Sequence, residues 1–210
     1  MDRRAFITGA AGLIITSAAR ADCGPLGPPM PMGLPTGCGV THPDIIKQDC
    51  QEWCWAASAS MIFAMHGHPV AQERIVMAAY GRLVCASANT TTILRVLNSN
   101  WQDDNGVRFQ PVVTAAYDVM NRVNRINNTI IAGELAANRP MLYCNTHHAM
   151  VVTDMEFFDT PYGPDVRRVD VLDPWPYSQD MHPLSPPEMA PAHMGGQMTF
   201  LAAVQVTSAP

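Results

Sequence analysis

The sequence predicts an α+β domain in which helices come first and antiparallel strands follow. Three observations carry this. Apolar and Ala-rich segments with helix stops crowd residues 53–98. Runs rich in β-branched residues, bounded by turn residues, crowd residues 140–207. The two kinds of segment do not alternate as a βαβ chain requires.

Residues 1–21 are expected to lie outside that domain. Arg3-Arg4-Ala5-Phe6-Ile7 matches a twin-arginine signature, an apolar run follows to Ala19, and Ala19-Arg20-Ala21 closes it with a small-x-small cleavage pattern. The run is too short and too rich in Ala and Gly for a bilayer span. It reads as an export signal, which implies a periplasmic or secreted protein. Residues 22–41 are Pro/Gly-rich and read as an extended arm without helix or strand. The domain proper is then 42–210.

Within it, residues 53–66 form an apolar, small-residue run that predicts a buried helix ended by Gly67-His68-Pro69. Residues 72–80 predict a second helix stopped by Gly81, and residues 90–98 a third with Ile93, Leu94 and Leu97 on its apolar face. Residues 111–125 carry a weak helical period through Val112, Ala115, Ala116 and Val119. A short helix over 130–138 ends before Pro140. Strands are expected over 140–146, 149–157, 166–172 and 197–207, with a Pro/Met/Gly-rich loop over 177–196.

Composition narrows the function classes. The net charge is −5 for the whole chain, and the loss of Arg3, Arg4 and Arg20 with the signal makes it more negative. That argues against nucleic acid as a partner. No other apolar run is long enough to span a membrane, and a monomer is expected. The six cysteines are Cys23, Cys38, Cys50, Cys54, Cys85 and Cys144. An exported chain permits disulfides. Cys23 with Cys38 and Cys50 with Cys85 are the expected pairs, although spacing does not fix the connectivity. Cys144 reads as a buried strand cysteine. The Cys/His set has no C-x2-C or H-x3-H spacing, which argues against zinc, and no cofactor is expected.

Gln48-Asp49-Cys50-Gln51-Glu52-Trp53-Cys54-Trp55-Ala56 is the segment with chemical content. Cys54 opens the first helix, where the helix dipole favours a thiolate. Gln48, six residues ahead, can supply an amide donor to an oxyanion together with the Cys54 backbone N–H. The base must be a histidine. His42, His66, His68, His182 and His193 lie in the arm, at the far end of the helix or in the late loop. His147 and His148 stand at the mouth of the strand Ala149-Met150-Val151-Val152, and His148, which touches the strand, is the better placed. Asp173 ends the next strand and can orient His148, with Trp175 shielding the pair. Asp154 and Asp170 are weaker candidates.

These blocks resemble the papain-like cysteine peptidases, and within them compact bacterial members such as the C39-like and staphopain/type III effector group. Gln48-x5-Cys54-Trp55-Ala56 is similar to the family's oxyanion glutamine and nucleophile. His148-Ala149-Met150-Val151-Val152 is similar to its base and following strand. Asp173-Pro174-Trp175 is similar to its Asn/Asp-x-Trp. The similarity covers residues 46–175. It implies a papain-like fold, with the Cys54 helix of an N-terminal helical half packed on a C-terminal antiparallel sheet. It implies a Cys54-His148-Asp173 triad with Gln48 as oxyanion donor, acting on peptides or proteins. Two features depart from the family. The lead-in Gln51-Glu52-Trp53 replaces the Cys-Gly-Ser/Ala of larger members, and His148 follows Cys54 at a shorter distance. Two other readings share the same residues: a transglutaminase- or deamidase-type acyl transferase, and a catalytically silent binding module.

Overall fold

The computed structural model describes residues 23–41 and 45–208. The expected signal segment and His42 lie outside the described residues.

Helix α1 (Cys54–Met65) is the centre of the molecule. Trp55 through Phe63 are all buried, so the helix is apolar on every side, as an internal helix must be. Around it lie α2 (Gln72–Tyr80) and α3 (Thr90–Val96). Gly81 takes the left-handed conformation (φ 70°) that closes α2, and Asn89 caps α3 by accepting from the Thr92 N–H. These boundaries agree closely with the sequence expectation.

The sheet is antiparallel throughout. Its axis is β7 (Ala149–Thr160), which forms a long hairpin with β8 (Gly163–Leu172) on one edge. The other edge of β7 is shared. Its first half pairs with β6 (Met141–Cys144) and its second half with β2 (Leu34–Gly39). Beyond β6 come β10 (Phe200–Ser208), β4 (Arg108–Asp118) and the short β3 (Trp101–Gln102). Successive side chains of a strand face opposite ways. Leu142, Val151 and Phe200 therefore pack with Trp55 and Phe63 on the α1 side. Tyr143, Val152 and Leu201 form a second core on the other side, under α4 (Asn128–Ala136). Among the described residues no helix is long and apolar enough to cross a membrane.

Three expectations are corrected. Residues 22–41 are not a strandless arm. β1 (Cys23–Pro25) and β2 form a hairpin that extends the sheet, and the Cys23–Cys38 disulfide staples it. Cys38 is buried against the second core, which gives the segment a reason to dock that its Pro/Gly content conceals. The approach is tight: Gly33 has φ 130°, and a Cβ there would meet the Asp159 carbonyl oxygen at 2.4 Å. Residues 111–125 are not a helix. They continue β4 and lead into β5 (Val123–Asn124), because Val112-Val113-Thr114 favours extended backbone and β10 supplies a partner along almost the whole strand. Residues 177–196 are not simply loop. They contain β9 (Met181–Pro183), paired to β8, and the short helix α5 (Pro186–Met189), which a Ser185/Glu188 capping box starts.

The far end of α1 carries a titratable weak point. His66 buries its Nε2 without a hydrogen-bond partner among the described residues. Burial pulls its pKa below 6.5, against the opposing bond to the Val204 backbone. The folded protein therefore holds His66 neutral where the unfolded chain takes up a proton, so stability falls as pH drops below 6.5. We expect His66→Leu to flatten the acid-side slope of stability in urea titrations between pH 7 and 5. An unchanged slope would remove His66 as its source.

Candidate active site

The site sits where the start of α1 meets the ends of β7 and β8. Cys54 is the first residue of α1, partly exposed and outside any disulfide. The N-cap residue, Trp53, places no side-chain acceptor on the first turn. The backbone N–H groups of that turn are thus left to interact with a ligand. The loop before the helix is strapped down from one side. Cys50 is bonded to Cys85, the Trp53 indole donates to the Val84 carbonyl at 2.8 Å, and the Trp55 indole donates to the Ala86 carbonyl at 3.1 Å. Both expected disulfide pairs are present, and Cys144 is the other free cysteine, buried so that its thiol is pushed strongly up.

His148 is held by the β6–β7 turn. Asn145 Oδ1 accepts from the backbone N–H groups of both His147 and His148, at 2.9 and 2.8 Å. The Asn145 N–H donates to the His148 carbonyl in return. The antiparallel register pairs Val151 with Leu172, which carries the residue after β8 alongside Met150 and within side-chain reach of His148. That residue is Asp173, and its Oδ1 lies 2.6 Å from His148 Nε2. That leaves Nδ1 as the ring nitrogen open to the Cys54 thiol, whose interaction with the ring helps to raise the His148 pKa. His147 remains exposed. Asp170 is taken by Arg168, at 2.6 and 2.7 Å, and Asp154 pairs with it across the β7–β8 hairpin away from the site.

The electrostatics favour an ion pair. Burial alone would lower the pKa of His148, but its interactions with the acceptors Asp173 and Cys54 outweigh burial and push it up to about 9. Burial likewise opposes ionisation of Asp173. Its bonds from His148 and from the Trp175 N–H prevail and bring it down to about 2. An imidazolium beside a carboxylate thus persists between those limits. The Trp175 ring stands edge-on to His148, with centroids 6.4 Å apart.

Gln48 is buried behind the loop. Its Nε2 donates to the carbonyls of Cys50 at 2.9 Å and Gln51 at 2.8 Å, and its Oε1 has no partner among the described residues. Both amide hydrogens therefore brace the loop in this conformation. An oxyanion donor role requires one of them to turn away.

Four supporting residues carried no sequence signal strong enough to single them out. The Lys47 ammonium donates to the carbonyls of Asp173 and Trp175, at 3.0 and 3.1 Å, and pairs with Asp180. It joins the nucleophile loop to the Asp173 turn, as does the Gln48 N–H to the Pro174 carbonyl. Gln72 on α2 donates to Lys47 O and Asp49 Oδ2. Asn145 sets the His148 backbone. His182, read as a loop residue, lies on β9 with its Nε2 3.2 Å from Asp173 Oδ2. Only Asn145 had a readable cue, the turn Asn145-Thr146-His147-His148.

No protein-family model matches the sequence, and no curated protein matches it. Solved structures do. A double glycine motif protease from an AMS/PCAT transporter, in complex with the leader peptide, is 14% identical with a TM-score of 0.44, over 81% of this chain and 94% of that one. UfSP from C. elegans is 17% identical with a TM-score of 0.47, over 82% of this chain and 34% of that one. At those scores, the functional reading rests on the geometry of Cys54, His148 and Asp173.

Proposed function

We propose that this chain is a papain-like cysteine peptidase that hydrolyses peptide bonds through Cys54, His148 and Asp173. One observation carries the reading. A partly exposed thiol at a helix start without a side-chain cap interacts with an imidazole whose Nε2 is held by a carboxylate.

The roles follow from the atoms. His148 Nδ1 takes the thiol proton, giving a thiolate–imidazolium pair stabilised by Asp173 and the helix dipole. The sulfur attacks the scissile carbonyl carbon. The developing oxyanion is held by the Cys54 backbone N–H, and by Gln48 once one amide hydrogen leaves its loop carbonyl. The imidazolium protonates the leaving amine as the C–N bond breaks. His148 then removes a proton from water, whose oxygen displaces the sulfur and frees the acid. Asp173 keeps the imidazole in the tautomer and orientation these steps need. The substrate is a peptide or protein.

We also propose that residues 1–21 direct export and that the working protein is periplasmic or secreted. The two disulfides of the described residues suit an oxidising compartment.

The test is cleavage of a peptide library, with free amine added as a competing acceptor. Hydrolysis products are expected to dominate. Transfer products in their place would assign the acyl-transferase reading, and no turnover at all would assign a binding module. The pH profile is a second readout. The active pair needs protonated His148, so kcat/KM should fall as pH rises through about 9. A rate still climbing past that pH would exclude the ion pair.

A further inference from the structure

Asp173 serves two histidines. Its Oδ1 accepts from His148 Nε2 and from the Trp175 N–H, at 2.6 and 2.8 Å. Its Oδ2 faces His182 Nε2 at 3.2 Å. We propose that His182 is a positioning residue: by donating to Asp173 Oδ2 it fixes the carboxylate plane and so holds His148 toward Cys54. This rests on the triad reading above.

The physical need is clear. The terminal torsion of an aspartate is broad and soft. A carboxylate held at one oxygen can rotate and carry the base with it. A second donor, on the second oxygen, removes that freedom. His182 is well placed to be that donor because its backbone is itself fixed. It pairs with Val171 of β8, and the ladder continues through the Asp173 N–H to the Asp180 carbonyl. Its other nitrogen, Nδ1, lies 3.2 Å from the Pro183 carbonyl oxygen. Both neighbours of the ring are acceptors. Both are satisfied when the ring carries a proton on each nitrogen, and a neutral ring satisfies one of them.

The same short segment grips His148 from its backbone side as well. Glu188, on α5, accepts from the Asn145 amide at 3.3 Å, and Asn145 holds the His147 and His148 N–H groups. Residues 182–188 thus support the base at its ring, through Asp173, and at its main chain, through Asn145. The charged groups facing His182 are Asp173 at the end of β8 and Glu188 on α5; His148 shares Asp173 with it, and Lys47, paired with Asp180, donates to the Asp173 carbonyl.

Sharing Asp173 has a sign. A donor on Oδ2 draws negative charge away from Oδ1, which weakens the hold of Asp173 on the His148 proton. Removing His182 should therefore do two things at once. Looser positioning should lower kcat by about 10-fold with KM little changed. The stronger remaining pull of Asp173 should move the basic limb of the pH profile upward.

The experiment compares wild type, His182→Ala and His182→Gln in peptide turnover across pH. Alongside, the His148 imidazole is titrated by NMR, a readout that does not need turnover. His182→Gln keeps an N–H able to reach Oδ2, so it should recover kcat to within about threefold of wild type. His182→Ala should show the lower kcat and a His148 titration displaced to higher pH. An unmoved His148 titration in His182→Ala, or a Gln variant as impaired as the Ala variant, overturns the proposal. A wild type without turnover, with His148 still responding to His182→Ala, overturns the triad reading and leaves the positioning contact standing.

Discussion

His148→Ala lowers kcat by about three orders of magnitude or more and leaves the domain folded. Among the described residues the His148 imidazole is the side chain that links Cys54, by its interaction with the thiol, to Asp173, by a hydrogen bond. Without it the thiol has no acceptor for its proton, and the leaving amine has no donor. KM should change little, because a substrate is bound by its length and not by the base. The structural penalty is contained. Asp173 loses one partner but keeps the Trp175 N–H and His182. A thermal melt beside the kinetics separates the two effects. A loss of rate that tracks a loss of folded protein would put His148 in the scaffold and not in the chemistry.

Gln48→Ala lowers kcat by about 100-fold, in the range found when one oxyanion donor is removed. The same change removes the side-chain donor that braces the Cys50 and Gln51 carbonyls; Cys50 O keeps the Trp53 N–H and Gln51 is exposed, so the cost in stability is about 1 kcal/mol. The two consequences must be told apart, since Gln48 braces the loop in the structure and is proposed to serve the oxyanion. Gln72 provides the control. It ties the same loop through Lys47 O, Asp49 Oδ2 and the Asp49 N–H, but from α2. Gln72→Ala should lower the melting temperature and keep the rate of the folded enzyme. Equal losses of rate in the two variants would make Gln48 a brace alone, with the oxyanion left to backbone N–H groups.

Much of the helical half was legible because its stops are local. Gly81 ends α2 by a positive φ, and Asn89 begins α3 with a side-chain cap. Such signals act within a few residues and do not depend on the rest of the chain. The readings that went wrong depended on partners distant in sequence. Residues 111–125 hold Ala115 and Ala116 at helical spacing, yet β10 pairs with them over nearly the full strand. The Pro/Gly-rich arm becomes part of the sheet because Cys38 finds a buried position and β7 offers a free edge.

The candidate site divides the same way. Cys54, His148 and Asp173 each stand at the end of an element, and sequence could place them there. The β7–β8 register then brings the last two together. His182 was out of reach. Three residues of β9 between prolines and methionines carry no periodicity, and only the ladder to Val171 sets the ring beside Asp173. The conformation of Gln48 was equally hidden, because it depends on which loop carbonyls turn inward.

The central claim is an activated thiol at Cys54. Its most direct test is titration of the purified protein with an epoxide thiol inhibitor, followed by mass mapping of the adduct, with His148→Ala run in parallel. The account predicts one fast adduct on Cys54 and much slower labelling in the variant, with Cys144 untouched in its buried position. An unlabelled Cys54, a Cys54 bridged to another cysteine, or equal labelling rates in the two proteins would contradict it.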